Sequence, residues 1–392
     1  MKVYFYALMA MSLITTQINA DEPATDSAEN ADEIVVTSSI LNTSRILNPL
    51  YVIDGQDIEN DATTSLGEAV DSYLGVSIAD YGAAVGQPII RGMSGPRVKI
   101  LKNGMVNRDV SGLGVDHLND VDLHDVAQIE IIKGPSSLLY ANGTIGGIIN
   151  VVNNTIARED FEKQEITAGL ETQSVNDGDV QDFHYSNNIG GFNVSLGYRN
   201  AEFGNFDIPD GAVIHDDHDD DHGDEHGDDD HDDHDEHANL IHADYVQEDA
   251  EFRGYEFEFG RTFSLGSGDL TLSFGRDDVN AEFSDGHNVP RINPARNIYS
   301  LSYVENDWVF KLSLKDVEKQ DDIGEGESVT DSYQMLNTRL TKTYNLNGAG
   351  ELKVSIFGSN LLDEVARNHS SFVKNQVPLA GRNYGAKFSY KF

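Results

Sequence analysis

A period of two limits what this chain can fold into. Across residues 158–392, segments of about ten residues alternate apolar with polar side chains and are separated by Asn, Asp and Gly. They include 192–199 (FNVSLGYR), 255–263 (YEFEFGRTF), 269–274 (DLTLSF), 298–304 (IYSLSYV), 308–314 (WVFKLSL) and 353–357 (KVSIF). Successive strand residues point to opposite faces, so each segment offers one apolar and one polar face. A secreted β-sandwich and a membrane β-barrel both satisfy that pattern. The closing segment favours the barrel, because Tyr384, Ala386, Phe388, Tyr390 and Phe392 alternate with polar or small residues. So aromatic a strand, left uncovered in water, is an aggregation hazard.

The front of the chain reads differently. Residues 1–20 combine Lys2, an apolar stretch at 3–14 and a polar end at Asn19 and Ala20. This is the layout of a secretory signal peptide cut after Ala20. The stretch is too short for a spanning helix, and no later segment approaches 18 consecutive apolar residues. Residues 21–32 are acidic and rich in Ser and Ala, as in a disordered linker. Residues 33–157 mix short β-like runs (34–37, 88–91, 98–101, 129–132, 148–152) with helix-like stretches (66–73, 135–140), both punctuated by glycine. There is no cysteine, so no disulfide staples this exported chain and no thiolate awaits a soft metal. Of six methionines, Met1, Met9 and Met11 fall in or near the signal, which leaves little for a Cu(I) site.

Residues 215–237 read HDDHDDDHGDEHGDDDHDDHDEH: seven His, fourteen Asp or Glu and two Gly. Nothing apolar is present to bury, so the tract builds no core. Imidazole and carboxylate are the ligands that Zn²⁺ and similar divalent ions favour. His215, His218, His222, His226, His231, His234 and His237 recur at spacings of three to five. A flexible chain can gather three or four such groups around Zn²⁺, and His242 extends the set. Ordering that chain costs entropy, so each site is modest in affinity, suited to capture and hand-over. The tract carries fourteen of the negative charges behind a net charge of −40. Such acidity repels nucleic acid and attracts cations.

Several motifs, in order, carry a family resemblance. Glu33, Ile34, Val35, Val36 and Thr37 resemble a TonB box. The run 87–92 (QPIIRG) followed by 97–104 (RVKILKNG) resembles a plug-domain hairpin, and 129–151 (IEIIKGPSSLLYANGTIGGIINV) resembles the plug's closing signature. Residues 358–363 (GSNLLD) resemble the turn before the last strand. The chain is thus similar to TonB-dependent outer-membrane receptors, over roughly 33–200 and 250–392. The His/Asp tract, the 115–117 run (VDH) and 367–372 (RNHSSF) resemble the zinc-uptake receptors among them.

The resemblance implies an α+β plug domain at 33–157, then an antiparallel transmembrane β-barrel at 158–392 interrupted by a long loop at about 201–249. It implies zinc or another divalent cation as cargo, with no catalytic cofactor and no enzyme activity. Metal would bind Asp116 and His117 on the plug's outer face, in the outer membrane of a Gram-negative bacterium. TonB and its inner-membrane energising complex would pull on the box. On spacing alone, an Asp-His pair is more often structural or solvated; Gly112 and Gly114 allow a turn that lets both converge. His124 is a weaker candidate, and His369 is expected as an ordinary interface residue. One departure stands out. A barrel of about 22 strands holds a plug, whereas only about ten strands are countable here, so the barrel is expected to be incomplete. Uptake of a chelate (siderophore, haem or cobalamin) and a non-transporting surface metal-binding protein remain as alternative readings.

Overall fold

The structure, a computed structural model, describes residues 50–55, 57–58, 65–79, 86–112, 117, 119, 121, 123, 126–153, 160–214, 248–346 and 348–392. The front region contains β1 (Leu50–Asp54), α1 (Leu66–Val70), β2 (Val76–Ala79), β3 (Gln87–Ile90), β4 (Val98–Lys102), β5 (Met105–Val106), β6 (Val126–Lys133) and β7 (Gly147–Asn153). A five-stranded sheet runs β1-β6-β7-β4-β5, with β4 and β7 parallel and the other pairs antiparallel. β2 and β3 form a separate hairpin.

Composition explains the placing. β6 and β7 carry Ile129, Ile131, Ile132, Ile148, Ile149 and Val151, all buried. Near-continuous apolar runs of this kind make strands covered on both faces. The buried Glu130 between them accepts hydrogen bonds from Asn150 Nδ2 (2.9 Å) and Gln128 Nε2 (2.7 Å), which offset its desolvation. Gly134, at φ 75°, takes the left-handed turn out of β6 that a side chain would resist. Ser65 caps α1 by accepting from Glu68 N at 3.2 Å.

The rest is one antiparallel sheet. Its strands are β8 (Glu165–Gln173), β9 (Gly178–Ile189), β10 (Phe192–Glu202), β11 (Ala250–Leu265), β12 (Gly268–Phe283), β13 (Arg296–Glu305), β14 (Trp308–Val317), β15 (Tyr333–Asn345), β16 (Glu351–Ser359) and β17 (Asn383–Lys391). The order is β10-β9-β8-β17-β16-β15-β14-β13-β12-β11. The first and last strands of this region therefore pair, β8 with β17, while β10 and β11 form the two edges. At one end the turns are short: 190–191, 266–267, 306–307 and 346–350. At the other, most connections are long: 203–249, 284–295, 318–332 and 360–382.

Register makes the two faces unequal. Leu270, Tyr303, Phe310, Leu340, Ile356 and Ala386 lie opposite one another across six strands. The neighbouring row, on the other face, is Thr271, Ser302, Lys311 and Arg339. Apolar residues of the first face stay exposed, with Ile356 at 55 % and Leu170 at 57 %. An apolar band with a polar reverse side is the pattern of a membrane barrel wall. The plug followed by an antiparallel wall, expected from the sequence, is the observed architecture, and its wall has ten strands among the described residues. A closed barrel of about eight strands is filled by its own side chains, so ten strands cannot encircle the plug, and the sheet ends in two edges.

Candidate functional site

The plug rests on the polar face of the wall through two polar clusters, the first buried and the second part-buried. In the first, Arg296 on β13 donates to both carboxylate oxygens of Asp277 on β12, at 2.8–3.0 Å. The same guanidinium donates to Asp71 Oδ1 (3.1 Å) and to the main-chain oxygens of Asp71 (2.7 Å), Tyr73 (2.8 Å) and Val76. Lys315 pairs with the other oxygen of Asp71, and Gly75 N donates to Asp277 Oδ2 at 2.6 Å. The planar guanidinium suits this fork. Burial pushes the Asp71 carboxyl up, but Lys315 and Arg296 outweigh it and hold it below the usual range. In the second cluster, Glu256 on β11 accepts from Arg91 Nε (2.8 Å) and Lys133 Nζ. Lys133 also donates to Leu74 O at 2.9 Å.

A third polar cluster sits at the long-loop end. Loop 360–382 is pinned by Asn360, whose Nδ2 donates to Glu364 O and Ala380 O (3.0 Å each) and whose Oδ1 accepts from Glu364 N (3.0 Å). The pin ties the two ends of the loop together and carries His369 inward, where its side chain is 1 % exposed. Loop 318–332 is closed by paired backbone bonds between Gln320 and Thr330. This brings Glu327, 42 positions earlier in the chain, up to the imidazole. Glu327 Oε1 accepts from Arg291 N (2.7 Å), and Oε2 accepts from Gly324 N (2.9 Å).

The two ring nitrogens of His369 differ. Nδ1 lies 2.8 Å from Thr330 Oγ1 and 3.3 Å from Lys374 Nζ. Nε2 is buried with no hydrogen-bond partner and faces Glu327 Oε2 at 3.7 Å, beyond hydrogen-bond reach. Burial first, and the Lys374 charge second, push this imidazole down to about 4, so it is neutral at ordinary pH and keeps a lone pair. A divalent ion bound at about 2.0–2.2 Å to imidazole and to carboxylate oxygen fits between groups so spaced. Among the described residues no group of three or more His, Cys, Asp or Glu is assembled for a metal.

The same loop touches the plug and the approach to the tract. Asn368 Nδ2 and Ser370 Oγ donate to Ile78 O on β2. Ile78 and Ala79 pair with Pro88 and Gln87 of β3, and Gln87 Nε2 donates to His117 O at 3.5 Å. His117, half-buried, is thus linked through one hairpin to the loop that bears His369. Ile214, the residue before the tract, donates its N–H to Asn375 O at 2.9 Å, and Arg367 Nη2 donates to Ala212 O. Asp116, His124, His242, the seven tract histidines and Glu33, Ile34, Val35, Val36 and Thr37 lie outside the described residues. Sequence reading took His369 for an interface residue. It does pack at one, but with a nitrogen left over, and Glu327 was missed because only folding joins the two loops.

Comparison with known proteins fits this architecture. Residues 42–148 match the TonB-dependent Receptor Plug Domain. Among solved structures, the chain resembles the copper transporter OprC with a TM-score of 0.54 at 11 % identity, over 88 % of this chain and 98 % of that one. It resembles the ferric citrate transporter FecA in the unliganded form with a TM-score of 0.54 at 10 % identity, over 88 % and 97 %. Against the ferric enterobactin receptor PfeA of Pseudomonas aeruginosa the values are 0.36 and 14 %, over 81 % of this chain. The chain spans about half of that receptor's length, 49 %. The plug match and the two likenesses at a TM-score of 0.54 show the fold, a plug with a β-barrel wall.

Proposed function

We propose that this protein is an outer-membrane receptor of the TonB-dependent kind that captures a divalent metal ion, zinc foremost, at the long-loop end of its wall. The observation that carries the reading is the buried, partnerless Nε2 of His369 facing Glu327 Oε2 at 3.7 Å. A buried polar atom without a partner is costly in a folded protein, and a ligand removes that cost. Asp116 and His117 are the plug's contribution to the ligand set. The 215–237 tract gathers ions and delivers them to the loop to which Ile214 is tied. TonB acts on Glu33–Thr37 by pairing with an extended segment. Copper and ferric citrate are carried by the two similar structures, so metal is the shared theme; histidine with carboxylate, and no cysteine, points to zinc here.

One observation favours a second reading. Among the described residues the wall is open at β10 and β11, and an open sheet with bare edges does not by itself seal a bilayer. A surface protein that binds metal without transporting it would tolerate that. Cellular zinc content, measured with the gene deleted and restored in zinc-depleted medium, tests uptake. A zinc-specific loss corrected by restoration supports the receptor; unchanged zinc, with metal still bound by the purified protein, supports the second reading.

A further inference from the structure

His369 is held from behind by a cation. Lys374 is 6 % exposed, and its ammonium has three protons to place. They meet Ser328 O, Thr330 Oγ1 (2.8 Å) and His369 Nδ1 (3.3 Å). An ammonium has no lone pair, so at this contact Nδ1 is the acceptor. In a neutral imidazole the proton then sits on Nε2, the nitrogen that would have to bind metal. A metal-binding histidine ordinarily has the opposite arrangement: its second nitrogen donates to a carboxylate, a carbonyl or water, which fixes the tautomer and strengthens the ligand.

Here an ammonium stands where a carboxylate or carbonyl is expected. Metal capture through Nε2 must move the ring proton to Nδ1, where it faces Thr330 Oγ1 and collides with the Lys374 donor. The arriving ion also meets a fixed positive charge across one imidazole ring, in a buried setting where screening is weak. Both effects act in one direction. Arg367, two residues before His369, adds a second positive charge that acts on Lys374.

We infer that Lys374 is an affinity-setting residue for the His369–Glu327 site, a resident cation that the incoming metal must displace from Nδ1, so that the site binds metal loosely enough to release it inward. The inference rests on the metal reading of His369. Its consequence is that removing the charge makes the protein a better binder and a worse transporter. Outer-shell partners of metal-bound histidines typically change affinity by about 10–100-fold, so Lys374→Gln is expected to tighten zinc binding by about tenfold or more. Gln keeps a donor for Ser328 O and offers an oxygen to Nδ1–H.

The test uses the full chain in detergent micelles with the seven tract histidines replaced by Ser, titrated with Zn²⁺ against a chromogenic chelator. Lys374→Gln and Lys374→Met remove the charge, and Lys374→Arg keeps it. His369→Ala reports whether the site is being read. The expected set is weaker binding in His369→Ala, about tenfold tighter binding in both charge-removing variants, and no tightening in Lys374→Arg. Weaker binding in His369→Ala with unchanged or weaker binding in both Lys374→Gln and Lys374→Met overturns the role of Lys374 and leaves the metal site standing. Unchanged binding in His369→Ala overturns the metal reading, and this inference with it.

Discussion

Two buried polar clusters join loops, wall and plug, and they differ in how they are satisfied. Around Arg296, the guanidinium, two carboxylates and three plug carbonyls are matched, with Lys315 completing Asp71. Around His369, the carboxylate is held by two backbone N–H groups and the ammonium by its acceptors, yet one imidazole nitrogen has no partner. A complete network fixes structure, and further binding would only break it. An incomplete one costs stability and marks where a ligand belongs. The first cluster is a lock, and the second is the proposed site.

The largest effect that sharpens this comparison falls on the lock. Arg296→Ala leaves Asp277 and Asp71 buried with a charge lost, and breaking such a network costs about 3–5 kcal/mol. Chemical denaturation should show that loss as a lower midpoint, with zinc affinity little changed at conditions where the variant is folded. The site should respond the other way. His369→Ala should weaken zinc binding by about 10–100-fold, taking a ligand as at least as important as its outer shell, while the denaturation midpoint moves little. If His369→Ala instead unfolds the protein without altering zinc binding, the two clusters are alike and the comparison fails.

Protonation separates them further. The His369 imidazole is depressed in the fold, to about 4, against an ordinary value of about 6.5. Between these values the unfolded chain binds a proton that the folded one refuses, so stability rises with pH there. The contribution is full above about pH 6.5 and is lost as pH falls towards 4. Wild type should therefore lose more stability than His369→Ala between pH 6.5 and 4.5 in parallel denaturation curves. The Lys311–Asp57 pair, with side chains 34 % and 50 % exposed, gives the smallest effect. Lys311→Ala should cost about 0.5 kcal/mol or less, because exposed pairs are weakly coupled.

What the sequence revealed follows from range. The segments 298–304 and 308–314 announced β13 and β14 because one face is mainly apolar and the other mainly polar, a contrast written in every second residue. β9, with its GDVQDFHYSNNI sequence, is polar on both faces over half its length and was not singled out. The apolar runs at 129–132 and 148–152 marked β6 and β7 because they are covered on both sides. The site was legible only in part. His369 drew attention as a histidine near a recognisable turn, but Glu327 sits in an acidic loop where no spacing sets it apart. Arg296 meets Asp71 across 225 positions, a distance over which no local pattern speaks. Lys374 was invisible for a further reason: its role comes from the side of the ring it faces.

Zinc-edge anomalous diffraction from crystals of the protein with its tract histidines replaced, grown with Zn²⁺, tests the central claim most directly. The account requires an anomalous peak about 2.0–2.2 Å from His369 Nε2 and in contact with Glu327 Oε2. Zinc bound elsewhere, with none at His369, would contradict it.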